Sequence, residues 1–430
     1  MSQPITFDVT VYQNEYLPAG ERVMDALVSV TATGRMAALP SAAQVIMLDR
    51  SSSMAGARLV EAKRATTVAL DALRDDVAFA IVAGNAEATM VYPAEPRMVP
   101  ATARTREAAR AAVARLEAQD GTAIGTWLAL ANQLLAGERA EIKHGILLTD
   151  GHNEHQTAED LRRVLEDCRG RFVCDCRGVG DGWEAKPLLE IADVLLGSAA
   201  GLREPAELAE DFRAVTGVVM GKAAANVVLR LWTLPDVRVR MLKQVHPRIV
   251  DLTGRGVVVD ARNVDYPTGQ WGTETRDFQL SLDVPAGALD EEIRAAKVGM
   301  VTGGQASDGR LVRVRWTADP ALSTKINPRV AHYAGQTELS EAIEDGIAAR
   351  DAGDEDAATA KLGRAVQLAH NSGHEVTLRV LSRVVDVVDA PSGTVRLRPD
   401  IAPVDTELAE LSSRTTVGMR RRSGGNGVSA

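Results

Sequence analysis

Aromatic residues are scarce in this chain of 430 residues: Trp, Tyr and Phe together make up 3%. Ala, Val, Arg and Gly dominate instead, which we read as the coding bias of a GC-rich genome rather than a functional signal. Cysteine is nearly absent. Cys168, Cys174 and Cys176 are the only three, too few for a disulfide framework and without the paired spacing of a zinc site. No apolar run approaches the ~20 residues of a membrane span. Positive charge is in deficit: the formal net charge is −9, which argues against a general nucleic-acid-binding surface. The opening "MSQPITFDVT" alternates and is polar, unlike a signal peptide. These absences lead us to expect a soluble, cytoplasmic protein that engages neither nucleic acid nor membrane.

The length allows two or three domains with sizeable cores. Residues 5 to 33 read as two alternating strands around "LPAGE". From 43 to about 220, apolar strand cores ("QVIML", "VAFAIV", "GILL", "RFVCDC") alternate with helical periodicity such as "ARLVEAKRATTVALDALR". That pattern predicts a doubly wound, Rossmann-like α/β unit: a parallel sheet covered by helices on both faces. From 225 to 317 short alternating strands suggest a β-sandwich. Residues 337 to 389 read as three helices, a plain helical bundle with a weak likeness to a tetratricopeptide hairpin. The expected division is 1–40, N-terminal strands joining the sandwich; 41–221, the α/β unit; 222–320, the sandwich; 321–390, helices; and 391–430, a flexible tail rich in Pro, Ser, Arg and Gly. Two strands alone are marginal in water. The N-terminal pair should therefore join the later sandwich, leaving the α/β unit inserted in it.

Chemistry concentrates at strand ends. In "VIMLDRSSSM" a buried strand ends in Asp49, with Ser51 and Ser53 in the next loop. In "DGTAIGTWLAL" Thr122 sits just before a helix, and "GILLTDG" ends a strand at Asp150. Ligands of open parallel sheets sit outside the carboxyl ends of the strands, so these three loops can meet there. Their groups are hard oxygen donors, suited to magnesium, manganese or calcium rather than zinc or copper.

"MLDRSSSM", "DGTAIGTWL" and "LLTDG", in that order, resemble the von Willebrand factor type A domain with its metal-ion-dependent adhesion site, over roughly 43 to 220. The resemblance implies that Asp49, Ser51, Ser53, Thr122 and Asp150 together hold one divalent cation, Mg2+ or else Mn2+ or Ca2+. It further implies that an Asp or Glu carboxylate of a protein partner completes the shell. The implied function is cation-dependent protein binding by an adaptor or scaffold, with no catalysis. The order of domains also resembles bacterial, especially actinobacterial, cytoplasmic proteins that accompany Ser/Thr kinases and forkhead-associated domains. On that ground Thr415 and Thr416, in "SSRTTVGMRRRSGG", are candidate phosphorylation sites.

Two other readings stand beside it. The nucleotide loop GxxxxGK[ST] and the GxSxG elbow are missing. A magnesium-dependent phosphatase of the haloacid dehalogenase type also places an Asp after an apolar strand, but it needs a second Asp where Ser51 stands. An assembly subunit of a chelatase-type ATPase machine is a third reading. His152 and His155 in "GHNEHQ" read as a polar rim beside the site, and Cys174 and Cys176 as small core residues on one strand face. Lys63 and Arg64 read as a solvated helix face.

Overall fold

A computed structural model describes residues 5–34, 39–119 and 121–418. Its central sheet has the order Ala199–Leu202, Val173–Val179, Ile142–Thr149, Ala42–Asp49, Ala78–Gly84, Ala88–Tyr92. The first five are mutually parallel. Ala88–Tyr92 and the short Val99–Pro100 run antiparallel to Ala78–Gly84, so the sheet is mixed, where the pattern of alternating strands and helices predicted a parallel one. Every residue of Ala42–Asp49 is buried, as expected of a central strand sandwiched between helix layers. Leu59, Leu70 and Phe212 belong to the helices on one face, and Trp127, Leu161 and Leu188 to those on the other.

Two further sheets enclose a common core that includes Val28, Phe278, Leu229 and Val298. One has the order Thr6–Gln13, Val23–Thr33, Thr275–Asp283, Arg238–His246, Val250–Asp251; the other runs Val257–Val258, Asn263–Trp271, Ala224–Thr233, Glu292–Thr302, Arg310–Thr317, Tyr16–Pro18. Val23–Thr33 pairs along its length with Thr275–Asp283. The N-terminal strands thus find the partners expected of them, and the α/β unit lies in sequence between two strands that are neighbours in space. Asn263–Trp271 escaped the sequence reading. Pro267 and Gly269 interrupt its alternation, and Gly269 takes a left-handed φ of 78° next to the register shift opposite Val227.

Helices Pro328–Asp351 and Glu355–Ser372 pack through Leu339, Ile343, Leu362 and Val366. Beyond them the expectation of a flexible tail from 391 fails over 394–418. Strand Thr394–Leu397 pairs with Val385–Asp389, and helix Pro403–Ser413 follows. Val404 and Leu411, two turns apart, insert into the core of the α/β unit. Glu407 accepts the Ala185 amide at the start of helix Ala185–Val194 (2.6 Å), and Asp405 accepts from Arg203 (2.6 Å). The Pro- and Ser-rich flanks hid this helix. The rest of the predicted tail, 419–430, lies outside the described residues. Among those described, no helix is long and apolar enough to cross a membrane.

Candidate metal centre

The strand Ala42–Asp49 delivers Asp49 to the carboxyl edge of the sheet with no exposure to solvent. The chain then turns sharply. The Arg50 amide donates to the Gly84 carbonyl (2.8 Å), and residues Ser52–Met54 form a 3-10 turn pinned by fully buried Met54. The neighbouring strand Ile142–Thr149 brings Thr149 and Asp150 alongside, both buried.

Ser53 Oγ donates to Asp150 Oδ1 at 2.7 Å, Ser51 Oγ lies 3.0 Å from Ser53 Oγ, and Ser51 Oγ lies 3.5 Å from the same carboxylate oxygen. Asp49 stands behind this triangle. Its Oδ1 accepts the Ser51 amide (2.7 Å), and its Oδ2 accepts the Thr149 hydroxyl (2.6 Å). Thr122 arrives on the third loop. A methyl group added at Gly151 would stand 3.4 Å from Ser53 Oγ and 3.8 Å from Thr122 Oγ1. The structure thus gathers all five oxygen-bearing residues named from sequence. Ser53 is exposed, so the cluster opens to solvent on that side.

Thr122 is positioned by the loop after Asp150. The helix Ile124–Ala136 has Ala123 at its N-cap, which offers no side-chain acceptor. Asn153 Oδ1 and Gln156 Oε1 accept the Ile124 and Gly125 amides instead (2.9 and 2.7 Å), and His155 Nδ1 accepts the Thr122 amide (3.2 Å). His155 therefore fixes a loop, while His152 pairs with Glu184 (2.9 Å). Cys174 and Cys176 are buried in one core cluster. Among the described residues no group of three or more His, Cys, Asp and Glu side chains gathers as a metal site.

Electrostatics mark this edge as short of positive charge. Burial pushes the Asp49 carboxyl up to about 6, against hydrogen bonds from Ser51 and Thr149 that lower it, and the charge of Asp150 raises it further. One cation is present that sequence reasoning missed. Arg58, on helix Ala57–Ala72, donates to Asp150 Oδ2 (2.9 Å) and pairs with Asp181. It holds the outer oxygen of Asp150 and leaves Oδ1 to the hydroxyls. The oxygen spacings fit a magnesium-type ion: adjacent ligands of an octahedral shell with bonds of 2.0–2.1 Å lie roughly 2.9 Å apart.

Residues 43–200 match the von Willebrand factor type A domain, and 367–410 match the von Willebrand factor type A C-terminal domain. A solved von Willebrand factor type A protein from Catenulispora acidiphila is 42% identical, covering 97% of this chain and 98% of its own, with a TM-score of 0.92. The chain belongs to the von Willebrand factor type A family. An uncharacterized protein of Synechocystis sp. is 31% identical over 234 residues, 52% of this chain. The chain spans only 54% of that relative's length. The ArnB paralog VWA2 from Sulfolobus acidocaldarius shares the fold at 13% identity, with a TM-score of 0.55 over 96% of this chain and 98% of that one. The C-terminal match reaches residue 410 and so takes in most of the helix Pro403–Ser413, which makes this segment part of the family's architecture.

The two tail threonines lie far from the type A edge. Thr415 is exposed, but its carbonyl accepts from His374 Nε2 (3.1 Å). Thr416 is buried, and its amide donates to the Pro247 carbonyl (3.3 Å). Of the two, only Thr415 presents a hydroxyl-bearing side chain to solvent.

Proposed function

We propose that this type A domain is a divalent-cation-dependent protein-binding module, and that the cation, of magnesium type, recruits a partner's carboxylate. The observation that carries the reading is the triangle of Ser51, Ser53 and Asp150 oxygens backed by buried, uncompensated Asp49. Ser51, Ser53, Thr122 and Asp150 would hold the ion, and Asp49 would supply charge and hold the Ser51 loop. Bound there, the ion would act as a Lewis acid toward an incoming anion. With only two carboxylates near it, one already shared with Arg58, the ion would stay electrophilic. Ser51 fills the place where a phosphatase of the haloacid dehalogenase type needs its acid, which favours the role of an adaptor or scaffold over that of such an enzyme.

Affinity capture on the full chain tests this, comparing magnesium with excess chelator and wild type with Asp49→Ala. Proteins that depend on the site are recovered by wild type in magnesium and lost under either change. For any one of them, affinity should fall roughly 30-fold or more, the lower bound for removing a charged ligand. Undiminished capture of the same proteins by Asp49→Ala in chelator would overturn the reading.

A further inference from the structure

A second polar site lies at the other end of the α/β unit, where it meets the β-sheets. A cavity of about 430 Å3 opens there between the strand Val173–Val179, helix Leu208–Met220 and the strands that carry Gln244 and Arg276. Its walls are charged, and most of the charges are already spoken for. Arg177 donates to Asp211 (2.5 Å) and to Ser198 Oγ (3.3 Å). Lys222 and Arg276 share Glu274 (2.8 and 2.9 Å), and Arg276 also donates to the Thr268 and Gln270 carbonyls. Asp175 accepts from Ser198 and faces His144 Nε2 at 2.8 Å.

Arg248 is the exception. It lines the same cavity, yet its guanidinium makes no hydrogen bond or ion pair among the described residues. Its backbone is held in place: Arg248 bridges to Thr415, and the Ile249 amide donates to the Arg414 carbonyl (2.8 Å). The acid that acts on it most strongly is Asp193, whose charge is shared with Arg255 and Arg414. Burial weakens its hold on its proton. The cavity therefore holds four cationic and three acidic side chains, with every acid engaged and one guanidinium unused. Lys222 Nζ donates to Glu274 alone, so it too has protons to offer.

We propose that this cavity binds a small oxyanion, with Arg248 as its principal contact and Lys222 as a second donor. The ligand class is a phosphate or a compact carboxylate, since a guanidinium fork and an ammonium both donate to such oxygens. The bound anion would lie at the seam between the α/β unit and the sandwich, beside Arg248 and Lys222, which follows helix Leu208–Met220. It would supply the counter-charge that the Arg248 guanidinium lacks.

Thermal unfolding of the full chain in chelator tests this, with titrations of sodium phosphate and sodium citrate against sodium chloride at matched ionic strength. Wild type should show a saturable rise in Tm with phosphate or with citrate beyond the chloride control, and the more effective anion identifies the source. Arg248→Met should bind about tenfold more weakly or worse, while unfolding at an equal or higher temperature in chloride, because an unpaired, half-buried charge is gone. Arg248→Lys should keep part of the response, and it serves as the readout if the Met variant fails to fold. The inference falls if neither anion stabilises wild type above chloride, or if the Arg248 variants respond as wild type does.

Discussion

Asp49 and Asp175 lie on strands of the same sheet and meet opposite treatment. Asp175 is surrounded by donors, with Ser198, His144 and the charge of Arg177 holding its carboxyl well below the usual range despite burial. Asp49 receives hydrogen bonds from Ser51 and Thr149 but no cationic partner among the described residues, faces a second carboxylate, and is pushed by burial up to about 6. A compensated buried acid is part of the scaffold, because removing it strands its partners. One without a cationic partner meets a cost of burial that its hydrogen bonds only partly offset. Counter-charge, more than burial, tells the two carboxylates apart.

The contrast breaks most visibly under isosteric substitution. Asp175→Asn should lower unfolding stability by about 3 kcal/mol or more, since His144 and Arg177 lose their counter-charge in a buried setting. Asp49→Asn should leave metal-free stability unchanged or higher, by about 1–3 kcal/mol. Urea denaturation of both variants in chelator measures the two values. Equal losses would erase the distinction.

Acid sharpens it next. Glu274 is held down to about 2 from an ordinary 4.5, with burial opposed by the charges of Arg276 and Lys222. Its folded value lies below its unfolded one. Its contribution is therefore fully present above about 4.5 and is lost as the pH falls toward 2. Between pH 6 and 3 the urea midpoint of wild type should fall more steeply than that of Glu274→Gln. The expected difference is about 2–3 kcal/mol across that window.

The smallest effect is expected at Thr416, whose hydroxyl is buried without a hydrogen-bond partner among the described residues. Thr416→Val keeps the shape and removes the unmet polar atom. Its Tm should match or slightly exceed that of wild type, by the equivalent of about 1 kcal/mol or less. A clear loss would mean that the hydroxyl contributes a stabilising interaction.

The oxygen cluster was legible because its residues are local in sequence: DxSxS, a Thr before a helix and an Asp after a strand each announce themselves at a strand end. Arg58, Thr149 and Asp181 were not, because an Arg on a helix and a Thr in a strand are ordinary residues until distant loops converge on them. The α/β alternation predicted the layers but not the antiparallel edge at Ala88–Tyr92, whose five residues are only partly buried or exposed. Helix Pro403–Ser413 was masked by the composition around it. The seam was invisible for a different reason: Lys222 with Glu274 and Arg177 with Asp211 join residues 52 and 34 positions apart, with no periodicity to link them.

The pairing of Val23–Thr33 with Thr275–Asp283 also has a temporal meaning. Thr31 and Thr275 touch across 244 residues of chain. At ordinary rates of synthesis, on the order of 5–20 residues per second, the first strands leave the ribosome tens of seconds before their neighbour exists. The α/β unit, whose sheet is built from residues between 42 and 202, is complete well before then. The nascent protein therefore passes through a stage in which all the strands of the α/β sheet have been made while the N-terminal strands still wait for their neighbour, and in that interval they are open to wrong partners.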